Sequence, residues 1–210
     1  MSEYTFPFNT CEKPNKKGIA QPYSSLFNII NCLIVFYFLL KTKKIYTFIL
    51  LFSILCFELF HVFSHCIHIQ GSIQINITHI LSYCINIAFL FFFYNYLKKF
   101  PSVWFILFYV CLIFFDIYTF LNMNVVYYIF SQALLFLSVL LYYYPLLPKS
   151  IKSKIHIIFV LITVIIILFL NEKYNCEKMM RIYPDFPYHI FIEIVGIVLF
   201  YIICSTFYKL

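Results

Sequence analysis

Apolar positions along this chain come in long continuous runs and not in alternation. Hydrocarbon about 30 Å thick takes roughly 20 apolar residues per helix. Seven segments approach that length, at 24–40, 45–67, 76–97, 102–122, 125–147, 154–171 and 186–208. Barrel strands would alternate, so these runs predict helices. The expected fold is an all-α integral membrane bundle of seven transmembrane helices, with residues 1–23 as a polar tail and 24–210 as a single domain. The stretch from Glu172 to Asp185, mixed in charge sign, reads as a connection before helix seven.

Composition agrees, since 64% hydrophobic and 11% charged residues exclude a soluble globular domain. The net charge of +7 could suggest nucleic acid, but most lysines fall in short loops, where they orient a membrane protein. Lys41, Lys43 and Lys44 follow helix one, Lys98 and Lys99 follow helix three, Lys149, Lys152 and Lys154 follow helix five, and Lys209 follows helix seven. The alternate connections near 69–75 and 122–124 carry no lysine or arginine. The N-terminus is therefore expected outside or lumenal and the C-terminus cytosolic, with no cleavable signal and the first helix starting insertion. An endomembrane, endoplasmic reticulum or Golgi, is expected ahead of the plasma membrane.

Polar residues then fall on one membrane face. His61, Ser64, His65 and His68 end helix two, while Asn76 and His79 begin helix three. Asp116, Ser131 and Gln132 fall in the outer halves of helices four and five, Asn171 ends helix six, and Tyr188, His189 and Glu193 begin helix seven. Ionisable groups at membrane depth are costly and default to functional candidates. At 100° per residue, Glu58, His61, His65 and His68 share a stripe, and His61 and His65 stand about 6 Å apart. His189 and Glu193 repeat the i, i+4 spacing. Histidine and carboxylate ligands with a fourth position left to water describe a hydrolytic zinc site, and zinc lowers the pKa of its water to roughly 7. His61, His65, His189 and Glu193 are the candidate ligands; Ser64, Asn76, His79 or Asp116 would orient the water or stabilise an oxyanion. The plainer reading of the same residues is a hydrogen-bonded network that glues helices. His68 and His156 read as histidines that satisfy a carbonyl or reach the interface, and Tyr142, Tyr143 and Tyr144 as an aromatic belt.

Of the eight cysteines, Cys32, Cys56, Cys84, Cys111 and Cys204 fall within helices and read as apolar packing. Cys11 and Cys176 fall in segments expected to be lumenal, where a disulfide persists. A Cys11–Cys176 bond is expected, with Cys66 at the same surface able to compete for either partner.

The landmarks Cys11-Glu12, Ile19-Ala20-Gln21, Asn28, His65, Cys176-Glu177 and His189-x-x-x-Glu193 occur in an order that resembles the alkaline ceramidases. These belong to a superfamily of seven-helix zinc hydrolases that includes the adiponectin-receptor-like proteins. The resemblance implies zinc on the histidines of helices two and seven, a disulfide between the matching cysteines, and hydrolysis of the amide of a ceramide to sphingosine and a fatty acid. It also implies calcium on acidic N-terminal residues, but Gln21 and Asn9 stand where a glutamate and an aspartate are expected, which thins that ligand set. His61 replaces a serine, Asn76 or His79 a helix-three aspartate, and Glu193 the last zinc histidine. The expected function is a membrane-embedded, zinc-dependent hydrolase of a ceramide-like lipid amide, with no nucleic-acid partner. A non-catalytic lipid-binding or receptor-like protein of the same fold, and a transporter, are the alternatives.

Overall fold

Where no water reaches the backbone, each N–H and C=O must find its partner within the chain, and helices achieve this segment by segment. The computed structural model describes residues 5–6, 11–13, 15–17, 19–66, 69–70, 72–122, 125–184 and 186–210, with the side chains of 5–6, 69–70, 72–75 and 125 left aside. Asn9 and His68 lie outside the described residues. The helices are α1 (Pro22–Lys41), α2 (Ile45–Cys66), α3 (Ser72–Leu97), α4 (Val103–Leu121), α5 (Val125–Tyr143), α6 (Lys149–Ile182) and α7 (Ile190–Phe207). All seven are long and apolar enough to cross a membrane. The chain is a multi-pass helical membrane protein by length and composition. Large apolar side chains remain exposed on the outside of the bundle, among them Leu33, Phe114, Leu121 and Val160, as expected of a surface that meets lipid.

One expected boundary fails badly. Helix six does not stop at 171 but continues through "NEKYNCEKMMRI" to Ile182, giving 34 residues. This stretch holds good helix formers and neither glycine nor proline, so nothing in it breaks the helix before Pro184. The helix also starts at Lys149 and not at 154, because Pro148 at its N-cap sets φ to −58° and the lysines can extend their ends out of the apolar layer. At a rise of 1.5 Å per residue, α6 is about 50 Å long and overshoots a hydrocarbon core by roughly 20 Å.

The helices pack α1 between α2 and α7, α2 against α3, α5 against α3 and α4, and α6 against α7. α5 and α6 meet only sparsely. At the lysine end an aromatic cluster fills the centre. Phe89, Phe92, Phe93, Tyr143 and Phe207 are all buried; the Phe93 and Tyr143 rings stack at 5.2 Å, and the Phe207 ring meets Phe92 edge-on at 5.3 Å. Of the three tyrosines expected to form an interfacial belt, Tyr143 is buried in this cluster, while Tyr142 and Tyr144 are half-buried. Tyr143 donates its hydroxyl to the Lys99 carbonyl at 3.2 Å, Tyr142 Oη accepts the Ser102 N–H at 2.7 Å, and Tyr144 Oη lies 2.7 Å from His156 Nε2. They tie α5 to the α3–α4 connection and to α6.

At the opposite end the N-terminal tail laces the helix ends together. A two-residue ladder pairs β1 (Thr5–Phe6) with β2 (Ile69–Gln70), antiparallel, the one departure from helix among the described elements besides a 3-10 turn at Tyr144–Leu146. The amides of Ala20 and Gln21 donate to the carbonyls of Cys66 (3.2 Å) and His65 (2.9 Å), which would otherwise be orphaned at the end of α2. Glu12 turns its carboxylate onto the start of α1, accepting from the amides of Tyr23 and Ser24 and from the Ser24 hydroxyl. That acid, in the N-terminal segment where calcium would be expected, is thus satisfied by protein donors. Cys11 and Cys176 form a disulfide that fastens the tail to the extended part of α6, while Cys66 is a free thiol.

Non-reducing peptide mapping should recover Cys11 linked to Cys176 and Cys66 unlinked. Glu12→Ala removes a cap from α1 and should cost about 1 kcal/mol, read as a lower melting temperature in detergent.

Candidate metal centre

α2 and α7 run side by side with α1 at the histidine end, and each contributes an i, i+4 pair to one point between them. His61 Nε2 and His65 Nε2 stand 3.0 Å apart. Glu193 Oε1 lies 3.5 Å from His65 Nε2 and 3.1 Å from His189 Nε2. One atom from each of His61, His65 and Glu193 can be chosen so that all lie within 4.8 Å of one another, a spacing that can hold a metal ion. His65 and Glu193 are buried, and His61 is partly so.

The far side of each ring decides what the near side offers. His65 Nδ1 is hydrogen-bonded to Gln21 Oε1, an acceptor, so the proton belongs on Nδ1 and a lone pair on Nε2. His189 Nδ1 donates to Glu172 Oε2 at 2.7 Å, and its Nε2, 3.1 Å from Glu193 Oε1, can donate to that carboxylate in turn. The His65 lone pair faces His61 Nε2 at 3.0 Å and Glu193 Oε1 at 3.5 Å. Nitrogen and oxygen atoms at this spacing are a ligand set that suits a metal ion. Holding each ring by its other nitrogen is also how proteins fix ligand orientation.

Glu172 was assigned to a connection by the sequence pattern, yet it sits on α6 and matters here. Its Oε2 holds His189 while its Oε1 accepts the Cys11 amide at 2.6 Å, so one buried carboxylate joins tail, α6 and α7. Gln21 was noticed only as a departure from a glutamate; it is the partner that sets the His65 tautomer. Neither role leaves a local signal, because each depends on chain segments far apart in sequence.

A second polar centre stands on α3, α4 and α5. Asp116, fully buried, accepts from His79 Nε2 at 2.9 Å, Tyr83 Oη at 2.7 Å, Gln132 Nε2 at 2.8 Å and the Ser131 hydroxyl. His79 is therefore engaged with Asp116, and Tyr83 joins at i+4, a spacing that could have been read from the sequence. Ser64 and Asn76, both candidates for orienting water, take no part. Ser64 Oγ is buried without a hydrogen-bond partner among the described residues, one position off the His61–His65 stripe, and the Asn76 side chain is exposed. Asn171, at an expected helix end, is exposed within α6.

Both centres adjoin one cavity of about 370 Å³. His61, His65, His189 and Glu193 line one wall, and Gln132 and Tyr128 another. Between them the lining is mostly apolar, with Ile129 of α5 and Ile165, Ile166 and Phe169 of α6 on the side where those two helices barely touch. Size and mixed lining suit a small-molecule or lipid site.

No protein-family model, no curated protein and no solved structure matches this chain.

Asp116→Ala leaves four donors without their acceptor and should destabilise by about 3–5 kcal/mol, measured by thermal melting. Glu177→Ala, in an exposed pair 4.0 Å from Arg181, should leave the melting temperature within error of the parent.

Proposed function

We propose that the protein is a membrane-embedded zinc-dependent hydrolase of a lipid amide, ceramidase-like in its reaction. The observation that carries this reading is the convergence of His61, His65 and Glu193 within 4.8 Å on the wall of a largely apolar cavity. The donor set fits zinc: two or three imidazole nitrogens and a carboxylate, with the far nitrogens of His65 and His189 fixed by Gln21 and Glu172. When bound, zinc supplies Lewis acidity and a water acidic enough to ionise near neutral pH. The chain's own residues supply the rest. Glu172 and Gln21 orient the imidazoles, and the sparse α5–α6 contact gives an acyl chain lateral access from the bilayer.

The buried rings of Phe89, Phe92, Phe93 and Phe207 at the lysine end favour a hydrolase or lipid binder over a transporter. A non-catalytic lipid-binding protein is the second reading, favoured by the predominance of apolar residues in the cavity lining. The lysine distribution supports a cytosolic C-terminus, and the Cys11–Cys176 disulfide supports an oxidising compartment, such as an endomembrane lumen, on the histidine side. Calcium is not part of the proposal, given that Glu12 is already satisfied by the start of α1.

Elemental analysis of protein purified in detergent without chelators should find about one zinc per chain. His61→Ala and Glu193→Ala should each lower it at least severalfold, and His156→Ala should not. Turnover of a ceramide or a simpler lipid amide, lost with the zinc, would then separate an enzyme from a lipid binder. Absence of zinc from the parent would refute the hydrolase reading.

A further inference from the structure

The proposed hydrolysis uses none of the polar groups one helical turn deeper in the cavity. Glu58 of α2 and Asn28 and Asn31 of α1 line it there, and Glu58 and Asn31 are each 1% exposed. Asn31 Nδ2 donates to Glu58 Oε2 at 3.2 Å and to Asn28 Oδ1 at 3.1 Å. Asn31 Oδ1 is buried with no hydrogen-bond partner among the described residues, and Glu58 Oε1 receives no hydrogen bond from them either. Nor does Glu58 have a basic counter-ion among the described residues. Glu172 and Glu193, the other two carboxylates of the cavity, share His189. A glycine, Gly196 of α7, faces Asn31, where even an added Cβ would stand 3.9 Å from Asn31 Nδ2.

Asn31 Oδ1, which lacks a donor, and Glu58, which lacks a counter-ion, form a binding site for a group that brings both protons and positive charge. A buried acid alone avoids its charged form, whereas a charge-assisted hydrogen bond to an ammonium stabilises that form. We infer that Glu58 and Asn31 form an ammonium subsite, which takes the cationic head of a long-chain primary amine whose tail occupies the apolar part of the cavity.

This deepens the hydrolase reading and rests on it for the origin of the ligand. In hydrolysis of a lipid amide the C–N bond breaks, a C–O bond forms to the water oxygen, and both water protons end on nitrogen. The products at neutral pH are a carboxylate and an alkylammonium. Glu58 precedes His61 by three residues on the same helix, about 5 Å away, so the nitrogen leaves within one turn of the carboxylate that receives it. The fatty acid, being anionic, is repelled from the same point.

The test is binding of tritiated hexadecylamine to the full chain in neutral-lipid nanodiscs, with hexadecanol and hexadecanoate as competitors and with parent, Glu58→Gln and Asn31→Ala proteins. The amine should bind the parent at least tenfold more tightly than the alcohol, and hexadecanoate should not compete. Glu58→Gln should lower amine affinity tenfold or more and leave alcohol affinity and zinc content unchanged; Asn31→Ala should lower it less. Equal binding of amine and alcohol by the parent, or unchanged amine affinity in a folded Glu58→Gln protein, overturns the subsite. If Glu58→Gln does not fold, the amine-over-alcohol ratio of the parent decides. Repeating the measurement on chelator-treated protein separates the two readings. Amine preference without zinc or turnover leaves the subsite and removes the hydrolase, while zinc and turnover without amine preference do the reverse.

Discussion

Imidazoles and a carboxylate gathered at one point inside an apolar bundle are the constraint to which the rest of this structure answers. His65, His189 and Glu193 meet at a common point, and contacts on the outer sides of the two rings fix their orientation. Those contacts come from the parts of the chain that are not membrane helices in the sequence pattern. Gln21 belongs to the tail, and Glu172 to the part of α6 that passes beyond the expected helix end. The tail in turn stays in position because its amides cap α2, its Glu12 caps α1 and its Cys11 is bonded to α6. What reads as a polar tail in composition is the frame of the candidate centre.

The two ends of the bundle are built on different physics. At the lysine end, aromatic rings interlock and the polar atoms of three consecutive tyrosines reach backbone carbonyl, amide and imidazole partners close by. Packing of that kind tolerates little movement and excludes water. At the histidine end, carboxylates, imidazoles and amides are arranged about a cavity, and α5 and α6 diverge beside it. Groups that need partners and a wall that admits apolar chains thus occupy the same half of the molecule.

Much of this was legible in the sequence. Unbroken apolar runs announce the helices, since in a bilayer length and hydropathy are nearly sufficient. The i, i+4 pairs His61–His65 and His189–Glu193 give the centre because a helix fixes that spacing locally. Glu172 was not legible, as helix formers and charges beyond a membrane span look the same in a helix and in a loop. Ser64 and Asn76 were drawn in by nearness in sequence, but one residue on a helix is a rotation of 100°, enough to turn Ser64 off the stripe. His79 was placed on the right face, yet its partner Asp116 lies 37 residues away on another helix, and pairings of that range leave no periodic trace.

The bond between Cys11 and Cys176 closes a loop of 165 residues, and that separation has a meaning in time. Chains are made at about 5–20 residues per second, so Cys11 precedes its partner by about 8 to 30 s. During that interval the tail has no anchor on α6, and the ring of His65 has only Gln21 and His61 beside it. The candidate centre therefore closes late, only when α6 has been made and extended and the start of α7 has followed it.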